Sequence, residues 1–415
     1  MIVDSFKKVS KQTAWQLVGK AVTSLSTLLI LSLVSRHYGP SGTGIFTLAL
    51  TYLAFFYLAA DFGLNAYILP ELLEVNRETV WRKLFGMRFL LSLLLVLLSL
   101  LILPLVPFHG ELFNKAILFG CLAIIGNGIF TTSNAIFQSK FRYDLSIIAS
   151  SVDAIPTVIF IFLLVSLNVS VPTLLIVHML GWILTGLITL IFVRKYISQL
   201  SPIFDFSFMG KTLKESWPIS LTLVLNVVYF RVDSFILASG KNFADVGTYN
   251  IAYAVFQSAL VLPTFIMNGF YPLMLQQLME SSVLFLSNLK KAVLIMFSIA
   301  LLGTALTYLL APFVIPVITG NKGFFGSTHS LQILGLSFPA YFISAVLMWT
   351  FVSLKKYKSM LVIYVIGLLV NTILNLIFIP KYSYIASSYI TGISEYLILI
   401  LQILILTPTL RRLSK

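Results

Sequence analysis

Apolar residues run through this chain in long uninterrupted stretches, and polar residues fall into short breaks between them. Neither the two-residue alternation of a strand nor the narrow stripe of a water-facing helix is present. Twelve such runs are readable, at roughly 14–35, 43–69, 84–106, 115–138, 145–167, 171–193, 217–239, 246–275, 290–318, 328–353, 359–379 and 384–408. About 20 apolar residues in a helix cross the hydrocarbon core. Membrane-barrel strands are only about 10 residues long and alternate in polarity. The pattern therefore predicts an all-α integral membrane protein with twelve transmembrane helices.

Composition agrees: 59% of the 415 residues are hydrophobic and 10% are charged. Soluble domains carry about 25% charged residues. The formal net charge is +14, but the cations stand singly between apolar runs, which excludes a nucleic-acid surface. Arg36, Lys115, Lys241, Lys322 and Lys381 fall in one set of alternating connections. Lys20 and Arg231 lie within runs, and every other Lys and Arg belongs to the opposite set. That asymmetry predicts both termini in the cytoplasm. Arg77, Arg82, Lys83 and Arg88 are counted with the inner connections, and Trp15, Trp81, Trp217 and Trp349 are expected at inner interfaces. The first run is too long for a cleaved signal and reads as a retained span.

The connections are short, the longest near 194–216, and none holds a catalytic domain. Cys121 has no cysteine to pair with, and His37, His109, His178 and His329 lie far apart. No metal site, nucleophilic triad or phosphate-cradling glycine loop is expected, so the chain reads as a non-enzyme without cofactor.

A break near residue 200 divides the runs six and six, giving domains at 1–200 and 201–415. Gly44-Ile-Phe-Thr-Leu-Ala is echoed by Gly247-Thr-Tyr-Asn-Ile-Ala. Phe137-Gln-Ser-Lys-Phe-Arg-Tyr is echoed by Phe351-Val-Ser-Leu-Lys-Lys-Tyr. Asp153-Ala-Ile-Pro-Thr-Val-Ile-Phe-Ile is echoed by Asn371-Thr-Ile-Leu-Asn-Leu-Ile-Phe-Ile. Three matches in one order suggest a duplicated six-span unit. The expected architecture is two six-helix lobes related by a pseudo-two-fold along the membrane normal, with a pathway between them.

Several motifs carry a family resemblance over essentially the whole chain. Arg36-His-Tyr-Gly-Pro-Ser-Gly-Thr-Gly-Ile-Phe and Ala60-Asp-Phe-Gly-Leu resemble spans 1 and 2 of the polysaccharide repeat-unit flippases. Ser216-Trp-Pro, Tyr229-Phe-Arg-Val-Asp and Val246-Gly-Thr-Tyr-Asn-Ile-Ala-Tyr resemble their spans 7 and 8. Asn375-Leu-Ile-Phe-Ile-Pro-Lys-Tyr resembles the close of span 11, where the family often has Gly soon after the Tyr and this chain has Ser383. These flippases belong to the multidrug/oligosaccharidyl-lipid/polysaccharide exporter superfamily. The resemblance implies outward movement of an undecaprenyl-diphosphate-linked oligosaccharide across a bacterial inner membrane, for surface polysaccharide biosynthesis. Its partners would be that lipid-linked oligosaccharide diphosphate, membrane lipids and other surface-polysaccharide assembly proteins.

Charges inside spans are costly and mark pathways or partners. At 1.5 Å per residue, Lys20 lies about 7 Å and Arg36 about 31 Å beyond Trp15, and Arg231 about 21 Å beyond Trp217. The three form a candidate cationic path for a diphosphate. Lys20 also reads as a residue snorkelling to the inner interface, and Arg36 as an ordinary outer-interface residue. Asp61, Asp233 and Asp153 are candidates for coupling or ion pairing. Lys20 is the expected partner of Asp61. Asp233 does not readily pair with Arg231, because i, i+2 side chains diverge on a helix, and so needs another partner, a proton or an ion. Glu395 is a further candidate, and for it and Asp153 a packing-linked hydrogen bond is the alternative. Gly39, Pro40, Gly42 and Gly44 read as a tight outer turn or a hinge. The alternative function is a drug or organic-cation antiporter of the same fold, which would need acid in span 1, where this chain has Lys20.

Overall fold

The computed structural model describes residues 2–74, 76–108 and 110–413, without the side chains of 2–14, 17, 66, 218–219, 222–224, 226–227, 268 and 272. His109, Lys415 and the side chains of Lys7, Lys8, Lys11 and Asn226 lie outside the described residues.

The described residues form fourteen α-helices: α1 Ile2–Asp61, α2 Leu64–Ile68, α3 Arg77–Ile102, α4 Glu111–Gly120, α5 Ala123–Ser139, α6 Tyr143–Ser166, α7 Val171–Val193, α8 Phe206–Gly240, α9 Phe243–Ala259, α10 Val261–Glu280, α11 Ser282–Thr319, α12 Phe325–Gly335, α13 Phe338–Ser353 and α14 Tyr357–Leu413. Among the described residues, eight helical stretches are long and apolar enough to cross a membrane. A ninth follows if α12 and α13, bent by 44°, count together. The twelve runs exceed this number partly because helix continues where connections were expected, and partly because α12–α13 is bent and α8 is not among the eight. Runs one and two merge into α1, broken only at Gly39 (φ 64°, ψ −166°). Runs eleven and twelve merge into α14, broken only at Ser383 (φ 53°, ψ −140°). Both angles lie in a region open essentially to glycine alone. Pro40 then occupies a first-turn position after the break, where a missing N–H costs nothing. The expected outer turn is thus a one-residue break between helices.

The fold divides into two compact units, Met1–Tyr38 with Ile45–Val227, and Gly39–Gly44 with Val228–Lys415. Both expose large apolar side chains that a soluble domain would bury. Leu94, Leu97 and Leu101 of α3 and Leu302, Leu309 and Phe313 of α11 are exposed, whereas Ser92, Ser99, Thr132, Ser330 and Ser387 are buried. Lipid supplies no hydrophobic drive between helices, so small residues fill helix contacts and bond locally. Thr132, for example, donates to the Gly128 carbonyl at 2.7 Å.

In the first unit, α5 packs on α3 and α7 around a core containing Leu64, Leu84, Phe137 and Val193. Trp81 belongs to that core, fully buried, with Nε1 donating to the Thr132 carbonyl at 3.1 Å. Its indole nitrogen takes an acceptor inside the protein instead of a lipid headgroup. The connection after α7 is shorter than expected, since α8 begins at Phe206. It lies along the start of α3, with the Ile203 N–H donating to the Arg82 carbonyl at 3.0 Å.

The second unit packs α13 on α11 and α14, around Tyr229, Phe351, Ile363 and Ile398. Stacked rings of Phe256 and Phe338, 5.2 Å apart, join α9 to α13.

Candidate functional site

Each unit holds a set of polar side chains on its helices.

In the second unit, Arg231 on α8 is half-buried. Its Nη2 donates to Gln257 Oε1 at 3.1 Å, and its guanidinium carbon lies 5.4 Å from the Tyr253 ring centroid. Gln257 and Tyr253 stand four residues apart on α9, one turn above each other, so both reach the same guanidinium. Among the described residues no carboxylate comes within ion-pair distance of Arg231. Its hydrogen-bond and ring partners are neutral, so an anion meeting it would not have to displace a bonded acid.

Asp233, two residues on, points elsewhere, as i, i+2 geometry requires. It is buried, accepts a short hydrogen bond from the Tyr249 hydroxyl, and accepts from the Ser234 N–H at 2.7 Å. Tyr249 also contacts Thr391 Oγ1 of α14 at 3.2 Å. Glu395, one turn beyond Thr391, is buried and accepts from the Tyr229 hydroxyl at 3.0 Å. The unit thus holds two buried carboxylates on phenol donors and one cation on an amide and a ring.

In the first unit, Lys20 and Arg36 are exposed side chains on α1. Asp153 on α6 is half-buried, accepts from Thr157 Oγ1 at 3.1 Å, and fills the space where a Cβ of Gly181 on α7 would stand.

Asp61 does not take Lys20 as its partner. Its Oδ1 lies 3.3 Å from Nη2 of Arg88. Arg88 is the residue that reading the sequence misassigned. It is not in a connection but eleven residues into α3, and fully buried. Its guanidinium donates to the carbonyls of Ala60 and Asp61, to Asn65 Oδ1 and to Thr132 Oγ1, each at 3.1–3.2 Å. The last carbonyls of a helix lack intrahelical partners. Arg88 satisfies two of them where α1 ends, just before Phe62 (φ 48°) and Gly63 (φ 63°) turn the chain into α2. The Asp-Phe-Gly-Leu motif is therefore a helix stop held by a buried cation. The sequence carried a signal: Arg88 is the last base of its group, it already follows Leu84, Phe85 and Met87, and no charged residue stands after it until Glu111.

Outside the spans, Asp205 precedes α8. Its carboxyl is held below the usual carboxylate range, first by a hydrogen bond from Lys83 Nζ at 2.8 Å and then by the Phe208 N–H at 2.9 Å.

Among the described residues no three His, Cys, Asp or Glu side chains gather as metal ligands.

The fold is shared with solved membrane transporters. A lipid II flippase, MurJ, in an inward closed conformation superposes with a TM-score of 0.77 at 18% identity, over 94% of this chain and 87% of that one. An inward-facing multidrug resistance MATE transporter of the MOP superfamily gives 0.79 at 14% identity, over 94% and 95%. A MOP superfamily transporter from Pyrococcus furiosus, described as having a binding pocket of reverse polarity, gives 0.65 at 15% identity, over 99% and 96%. No curated protein sequence matches the chain. A sequence profile described as "polysaccharide biosynthesis protein" matches residues 9–279, about two-thirds of the length. With an all-helical multi-pass transporter fold and that profile match, the chain belongs to the polysaccharide biosynthesis protein family.

Proposed function

We propose that this protein is a flippase that moves an undecaprenyl-diphosphate-linked oligosaccharide repeat unit to the outer face of a bacterial inner membrane, by alternating access, for surface polysaccharide biosynthesis. The observation that carries this reading is Arg231: a cation at span depth, half-buried, with an amide and an aromatic ring as neighbours. Diphosphate oxygens accept charge-assisted bonds from such a group. Lys20 and Arg36, both exposed on α1, are the remaining members of the cationic path. Asp233 and Asp153 are the candidates for coupling to an ion gradient, with Asp61 engaged by Arg88.

Two six-helix lobes with both termini cytoplasmic complete the reading. The breaks at Gly39 and Ser383 support two crossings each for α1 and α14. With the bent α12–α13 pair and α8 added to the remaining apolar helices, the spans number twelve.

The test is export in a deletion strain complemented with parent, Arg231→Ala or Arg231→Lys. Lipid-linked repeat units are followed on each membrane face. Accumulation on the cytoplasmic face with Ala and partial recovery with Lys supports the proposal. Full export by Arg231→Ala overturns it.

The drug or organic-cation antiporter is the second reading, favoured by the buried acids Asp233 and Glu395 and the superposition on a MATE transporter. Drug resistance conferred by overexpression, without any defect in repeat-unit export on deletion, would select it.

A further inference from the structure

On the outside of the second unit, two cavities share one wall. The first, about 390 Å³, lies between α11, α13 and the end of α14, and is lined by Leu294, Phe297, Ile343 and Leu410. Lys290 stands at its edge. The second, about 460 Å³, is lined by Ser287, Lys290 and Lys291 on the opening turns of α11. Ser287, Lys290, Lys291, Leu294 and Phe297 follow i, i+3, i+4 spacing, so they form one stripe of α11. The stripe is polar at its start and apolar above it. From Lys290 to Phe297 is a rise of about 10 Å. Among the described residues no carboxylate lines either cavity. Leu410 adjoins Arg411 and Arg412, which add positive charge in the last turn of α14.

We propose that this groove is a binding site for an anionic membrane phospholipid. Its phosphate sits at Lys290, Lys291 and Ser287, and one acyl chain lies along Leu294 and Phe297 against Ile343 and Leu410. Charge complementarity selects the headgroup: two ammonium groups and a hydroxyl offer donors and two positive charges with no negative charge beside them. Basic pockets between membrane helices bind anionic headgroups in this way. The depth selects the chain. An apolar wall of about 10 Å takes the upper part of an acyl chain. The neighbouring exposed faces at Leu301 and Leu302 are apolar, as a lipid-facing surface is. The site is separate from the proposed cargo path and stands whatever that cargo is.

The test uses the full-length protein in nanodiscs made from equal parts phosphatidylglycerol and phosphatidylcholine, with retained lipid read by native mass spectrometry. About 1 kcal/mol per basic residue near the surface is about fivefold, so two lysines give about a 30-fold preference for phosphatidylglycerol. Lys290→Gln with Lys291→Gln removes the preference while leaving the apolar wall. Leu294→Trp fills the groove with both lysines present, and lowers retention of phosphatidylglycerol. Equal retention of the two lipids by the parent overturns the proposal, as does unchanged preference in the double Gln variant. Displacement of phosphatidylglycerol by equimolar undecaprenyl phosphate also overturns it, because the groove would then serve the polyprenyl chain.

Discussion

Gly44 and Gly247 meet backbone to backbone. A Cβ on Gly247 would stand 2.8 Å from the Gly44 nitrogen and 2.0 Å from the Pro40 carbonyl oxygen; one on Gly44 would stand 1.7 Å from the Phe243 carbonyl oxygen. The two glycines open the matching motifs Gly44-Ile-Phe-Thr-Leu-Ala and Gly247-Thr-Tyr-Asn-Ile-Ala, and they use the close approach that small residues allow in membranes. Forcing a methyl into a filled contact costs about 1–3 kcal/mol. Gly44→Ala and Gly247→Ala are each expected to lower the thermal unfolding midpoint in detergent. Gly269→Ala, where no atom lies within 4 Å of the added Cβ, is the control and leaves it unchanged.

Arg88 is the next test. Removing one partner of a buried ion pair costs about 3–5 kcal/mol. Arg88→Ala is expected to lose that much, leaving the Ala60 and Asp61 carbonyls without their donor. Arg88→Lys recovers little, because one ammonium cannot reproduce a fork spread over four residues. Tryptophan fluorescence reads both, since Trp81 and Arg88 bond to the same Thr132.

Ser383 has a backbone conformation suited to glycine and a hydroxyl that donates to Asp245 Oδ2 at 2.6 Å. Backbone strain of this type costs about 1–3 kcal/mol and a hydrogen bond contributes about 1. Ser383→Gly loses the bond but relieves the strain; Ser383→Ala loses the bond and keeps the strain. The glycine variant is expected to unfold at the higher temperature of the two. The reverse order would remove strain from the account of this break.

The Lys83–Asp205 pair sets a pH response at the start of α8. Lys83 lowers the folded carboxyl below its ordinary value, so the contribution is complete above about pH 4. It is lost as pH falls further, through the lowered folded value. Amide exchange over residues 206–209 should quicken only in that acid range. Asp205→Asn, which retains a capping oxygen, should flatten the response.

The fold class was legible because lipid imposes one requirement on composition and another on run length. The run at 171–193 coincides with α7. The breaks at Cys121–Leu122, Leu260 and Leu336–Ser337 were not legible, since hydropathy does not change across them. Gly39 read as part of a turn because four helix-breaking residues cluster there, although the chain needs only one. In the candidate site, the divergence of Asp233 from Arg231 follows from helical spacing alone. The phenols that receive Asp233 and Glu395 come from other helices and carry no local signature. Arg88 was misplaced because counting cations by connection treats every base near a run's edge as wet.

Arg88 also constrains how the chain enters the bilayer. A centrally placed Arg adds about 2.5–3.5 kcal/mol to the insertion of a helix on its own. Asp61 and Asn65 precede Arg88 by 27 and 23 residues, while Thr132 follows it by 44. The carboxylate and amide are therefore synthesised before Arg88 and reach the membrane ahead of it, so order of translation supplies the counter-charge by the time α3 inserts.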